Sequence, residues 1–145
     1  MDARGYRNRY NCAMTERLPL TDENARALAK LCAQIAAGAD YDSWSFAFGR
    51  TLELGGETIA PDVAGWRDGS DTGVPDWVCD VAPHGETKAY AKHGVGSVWR
   101  IDSELRVIDV LQRASAGWFY DTYDRRLTAA PFDGVEIDVR AIWAQ

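Results

Sequence analysis

The sequence predicts an α+β domain: one mixed β-sheet flanked by a few helices and extended at its C-terminal end by antiparallel strands. Three observations carry that reading. An Ala-rich stretch ending near Gly38 places Leu28, Leu31, Cys32 and Ile35 on one helical stripe. The segment Val74 to Asp102 runs from one apolar stretch, through a short Lys- and His-bearing stretch closed by Gly94, into a second apolar stretch. That is the order of two strands joined by a helix, which in one sheet makes a right-handed parallel crossover. Beyond it, short alternating segments separated by turn residues read as a meander.

Taken in order, residues 1 to 20 carry Arg4, Arg7, Arg9 and Arg17 among Gly, Asn and Tyr, with no period of 3.6 or 2. They read as a mobile N-terminal arm before a single domain over residues 21–145. Met14 opens MTERLPLTDEN, which has the look of an ordinary start; the functional alternative is a basic arm that touches phosphate. Thr21 fits an N-cap, and Asp22 and Glu23 sit in the first turn, where the helix dipole favours negative charge.

From Trp44 the period changes to two. Trp44, Phe46, Phe48, Leu52 and Leu54 share one parity, so a long strand with an aromatic face is expected. Gly55-Gly56 signals a hairpin into a return strand from Glu57 to Trp66, where Pro61 marks an edge or a bulge because proline cannot donate to the ladder. Asp68 to Gly73 is a loop by composition. A strand at Trp77 to Val81, a short helix around Glu86 to Lys92 and a strand at Val98 to Asp102 follow. Ser103-Glu104 turns the chain into Arg106 to Gln112, and Trp118 to Tyr123 adds one more strand. Val135, Ile137 and Val139 alternate before a last apolar turn containing Ile142 and Trp143.

Composition bounds the function classes. With 145 residues, 46% hydrophobic and including six Trp, six Tyr and four Phe, the chain can bury a core without staples. No stretch approaches the roughly 18 apolar residues of a membrane helix, and the first residues lack an apolar signal region. A soluble, cytoplasmic protein is expected. Cys12, Cys32 and Cys79 are an odd count without CxxC spacing, so they read as small buried hydrophobes, not as disulfides or a zinc site. A net charge of −6 opposes any broad grip on nucleic acid, so contact with DNA needs a local patch or a metal. The aromatic residues are too many for one core face, and an exposed remainder would favour a homodimer or a partner surface.

Four segments in succession, APDVAGW, PDWVCDV, KAYAKHGVGSVWRID and PFDGVEIDVRAIW, resemble the Uma-two family, a restriction-endonuclease-like group of the PD-(D/E)XK nuclease superfamily. The resemblance spans about Thr58 to Trp143. Its most specific part is the spacing of Tyr90, Gly94, Val95, Trp99 and Asp102. It implies a restriction-endonuclease-like core and a metal site of carboxylates on adjacent strands, with Asp62 as the first acidic ligand and Asp80 where the family usually has Glu.

The chemistry of the residues agrees with that pairing. Neighbouring strands lie about 4.8 Å apart, so opposed carboxylates on one face can share a divalent ion such as Mg2+ or Mn2+. A nearby Lys would add charge stabilisation. The family's helix Lys, four residues before the Tyr, is here Glu86, and Lys88 lies about 200° around an ideal helix from that position. Lys88 is the best remaining catalytic cation, with Lys92 one turn beyond it. Asp62 and Asp80 otherwise read as strand-end aspartates, and Lys88 as a solvated helix residue. His84 and His93 lack HxxxH spacing; a base or metal ligand is the sharper reading, an ordinary histidine the plainer one. Asp76 reads as a turn residue or a neighbour of the acidic pair, and Asp102 as a turn residue. The expected function is a metal-dependent endonuclease hydrolysing DNA through Asp62, Asp80 and Lys88. The alternative is a catalytically degenerate nuclease fold serving as a nucleic-acid or protein binding module.

Overall fold

The computed structural model describes residues 20–39, 41–82, 87–115 and 117–144. Cys12, the N-terminal arm, His84 and Glu86 lie outside the described residues. Helix α1 (Asp22–Gly38) begins where the Thr21 hydroxyl oxygen accepts from the Asn24 amide at 3.1 Å. Ala27, Leu28, Leu31 and Ile35 form its buried stripe.

Six strands make the main sheet: β1 (Ser45–Phe48), β4 (Val63–Trp66), β5 (Trp77–Val81), β6 (Ser97–Asp102), β7 (Val107–Ala114) and β8 (Gly117–Tyr123), in the spatial order β1-β4-β5-β6-β7-β8. Every pair is antiparallel except β5 with β6, which are parallel and joined through helix α2 (Thr87–His93). The mixed sheet and its central crossover are thus as the sequence predicts.

Two segments differ from the sequence reading. The long strand expected from Trp44 to Leu54 breaks at Gly49, whose φ of +63° is open to glycine at little cost. Past the break, β2 (Leu52–Leu54) and β3 (Glu57–Ile59) form a separate two-stranded hairpin. The return strand breaks too, between Ile59 and Val63, where Pro61 lacks the N–H a ladder requires. Near the C-terminus, β9 (Arg126–Leu127) pairs with β10 (Ile137–Asp138), but Val139 opens helix α3 (Val139–Trp143) instead of extending the strand. The Asp138 carboxylate accepts from the Ala141 amide at 3.3 Å and so caps the new helix.

Two cores lie on opposite faces of the sheet, sorted by strand parity. On the first, α1 and α3 cover Val63, Trp77, Cys79, Trp99, Ile101, Ile108 and Val110. Phe132 plugs this core, meeting Trp44, Trp77 and Trp99 with centroids 4.9, 5.1 and 5.7 Å away. Gly65 leaves room beneath this cluster, since a Cβ there would stand 3.0 Å from Phe46 and 3.1 Å from Trp44. The second core holds Ala64, Trp66, Val78, Val95, Val98 and Tyr90 beneath α2 and the β2–β3 hairpin. Burial pushes the Cys32 thiol up to about 12 and the Cys79 thiol well above its usual range, as expected of thiols that serve as small hydrophobes. Phe119 and Tyr120, on edge strand β8, remain 69% and 61% exposed. Among the described residues, no helix is long and apolar enough to cross a membrane.

The hairpin is tied to α2 by a part-buried contact of Glu57 with His93 and Lys92. His93 Nε2 lies 2.6 Å and Lys92 Nζ 3.4 Å from Glu57 Oε1. The hydrogen bond with His93, then the bond and charge of Lys92, hold the Glu57 carboxyl below its ordinary range. A carboxyl depressed in the folded state stabilises the fold above the unfolded-state pKa, roughly 4.3, and loses that contribution as pH falls through the folded value. Melting temperatures of wild type and Glu57→Gln are therefore expected to differ at pH 6 and to converge as pH falls below the carboxyl's folded value. A difference independent of pH would rule out the ion pair as its source.

Candidate functional site

Asp62 and Asp80 come together as the sequence reading expects. In the antiparallel β4–β5 pair, Ala64 faces Val78 and Val63 faces Cys79, so Asp62, just before β4, falls beside Asp80. Parity puts both on the α2 face, with Ala64 and Val78. The two residues clasp each other through the backbone. The Asp62 amide donates to Asp80 Oδ1 at 2.9 Å, and the Val81 amide donates to Asp62 Oδ2 at 2.8 Å.

The Tyr90 hydroxyl of α2 completes the arrangement by donating to Asp80 Oδ2 at 2.5 Å. Asp80 is fully buried, Tyr90 is 1% exposed and Asp62 is 7% exposed. Donors aimed at a buried carboxylate fix its orientation. Tyr90 is placed for this by the helix period, since Gly94, at φ +91°, ends α2 and lets the Val95 amide bond the Tyr90 carbonyl at 3.0 Å.

This donor set fits a hard divalent cation of the magnesium type. Such an ion takes one or two carboxylates and completes its shell with water and substrate oxygens. The three bonds above fix the orientation of the carboxylate oxygens. Among the described residues, no group of three or more His, Cys, Asp and Glu side chains is placed to hold a metal.

The other sequence candidates are placed differently. Lys88 is exposed on α2, and Lys92 and His93 are engaged with Glu57 on the hairpin side. The Asp76 carboxylate accepts from the Arg67 amide at 2.7 Å, and Asp102 Oδ1 accepts from the amides of Glu104 and Leu105 at 3.0 and 3.1 Å. Asp102 is thus a turn-forming aspartate, whereas Asp76 ties together the two ends of the loop between β4 and β5.

The structure adds a residue that the sequence reading passed over. Asp80 pairs in register with Arg100 on β6, Arg100 with Asp109 on β7, and Asp109 with Thr122 on β8. Arg100 shares the parity of Val98, whose side chain lies in the α2-side core. One polar row thus crosses the sheet from Asp62 to Thr122. Its only sequence trace is a charge inside the otherwise apolar Val98–Ile101, with nothing to say which strand residues it faces.

No protein-family model and no curated protein matches the chain. Among solved structures, it is similar to the crystal structure of a candidate nuclease belonging to DUF820, the Uma-two family, from Anabaena variabilis. The TM-score is 0.68 at 12% identity, over 88% of this chain and 83% of that one. The fold is nuclease-like.

Proposed function

We propose that the chain is a divalent-cation-dependent nuclease acting on DNA phosphodiester bonds, with Asp62 and Asp80 as its ligand pair. One observation carries this reading: two buried carboxylates from adjacent strands share one face and are locked together by reciprocal backbone bonds. A bound Mg2+ or Mn2+ would polarise the phosphoryl group and lower the pKa of a water. The chain's own residues do the positioning. Asp62 and Asp80 hold each other through their backbone bonds, and Tyr90 holds Asp80 in one orientation.

The expected result is that Asp62→Asn and Asp80→Asn each reduce plasmid cleavage in Mg2+ or Mn2+ by about 100-fold or more, the loss of several kcal/mol of charge stabilisation. Cleavage that survives both substitutions would sink the proposal. The second reading, a degenerate nuclease fold that binds without cutting, draws on the net charge of −6. It predicts salt-sensitive DNA binding with no cleavage in either metal.

A further inference from the structure

We propose that Arg100 is the phosphate-binding cation of this site, standing in for a helix lysine; the proposal rests on the nuclease reading above. A carboxylate pair that receives a phosphodiester needs a cation beside it, both to offset repulsion and to orient the phosphoryl oxygens. On α2, Lys88 points to solvent and Lys92 is paired with Glu57. Arg100 sits one strand from Asp80, directly in register and on the same face.

Its surroundings leave it available. Arg100 is half-buried, and its Nε is sealed from solvent without a hydrogen-bond partner. Its guanidinium forms no ion pair among the described residues, although Asp109 stands opposite on β7. Asp109 Oδ1 accepts instead from the Thr122 hydroxyl at 2.8 Å. A guanidinium held beside this pair without an ion-pair partner among the described residues favours an oxyanion acceptor on its accessible part. The planar fork of arginine suits two phosphate oxygens at once, which a lysine ammonium cannot match.

The test measures binding of the full chain to a short fluorescent DNA duplex across a salt series, for wild type, Arg100→Gln, Arg100→Lys and Lys88→Ala, with a thermal melt of each. Arg100→Gln is expected to weaken binding about 10-fold or more at low salt and to reduce the slope of log K against log salt by about one, the loss of one phosphate contact. Arg100→Lys keeps the slope and recovers part of the affinity, and Lys88→Ala changes neither. Arg100→Gln with a wild-type slope overturns the proposal, whether or not its melting temperature falls, because a purely structural arginine moves stability and not the salt slope.

The two readings fail separately. If Asp62→Asn abolishes cleavage while Arg100→Gln keeps its slope, the nuclease reading stands and this one falls. A lost slope with no cleavage by wild type leaves Arg100 as a phosphate ligand and removes the enzyme. A wild type that binds no duplex at low salt removes both.

Discussion

Trp99→Ala is expected to destabilise the domain by about 3–5 kcal/mol, at the upper end for a buried aromatic truncation. Trp99 has no exposed surface and lies at the centre of the α1 face, edge-on to Trp77 at 5.6 Å and to Phe132 at 5.7 Å. Its indole N–H also donates to the Ala130 carbonyl at 3.2 Å, which the Gln112 amide shares at 2.8 Å. Truncation opens a cavity between strand and loop and removes one of the two donors that share the Ala130 carbonyl. Since domains of this kind have roughly 5–15 kcal/mol of stability in all, the variant should be largely unfolded in mild urea. Circular dichroism is the suitable probe, because the substitution removes a fluorophore. Trp118→Ala, at the partly exposed sheet edge, serves as the control. A loss of less than about 1 kcal/mol at Trp99 would show that the loop collapses into the space.

Tyr90→Phe tests the link between scaffold and chemistry. The ring remains, so packing beneath α2 is conserved, but the hydroxyl donor to Asp80 Oδ2 is lost. A hydrogen bond to a charged, buried acceptor is worth about 1.5–3 kcal/mol, and that loss is expected in urea denaturation. If Asp80 also ligates a cation, the same variant should bind Mn2+ about 10–100-fold more weakly, the usual effect of removing a group that orients a ligand. Calorimetric titration with Mn2+ reads this directly. Lower stability with unchanged Mn2+ affinity would make the Asp80–Tyr90 contact a purely structural tie between β5 and α2.

Much of this architecture is legible in the sequence where the signal is local. The stripe of α1, the Thr21 cap, the bounds of β5 and the parallel crossover all follow from periodicity and end signals within a few residues. The break at Gly49 and the start of α3 at Val139 are less legible. Alternation reads the same on both sides of a bend, and a two-residue strand leaves too few residues to show its period. At the candidate site, Asp62 and Asp80 are found from motif and strand position, whereas Lys88 is chosen by elimination and lies exposed.

For the acidic pair, the chain by itself pointed to the two carboxylates: Asp62 stands just before one strand and Asp80 near the end of the next, and antiparallel order brings those two ends together. Tertiary structure decided what surrounds them. The register of β6 against β5 is set by the whole crossover and its packing, and a shift of one residue would carry Arg100 to the opposite face. The same packing brings the Tyr90 hydroxyl onto Asp80 and keeps Lys88 outside, because a helix of two turns has only one face to bury. Side-chain type and period are written along the chain, but register is a property of pairs of strands far apart in it. The acidic pair was therefore visible in sequence, and its cationic neighbour only in the fold.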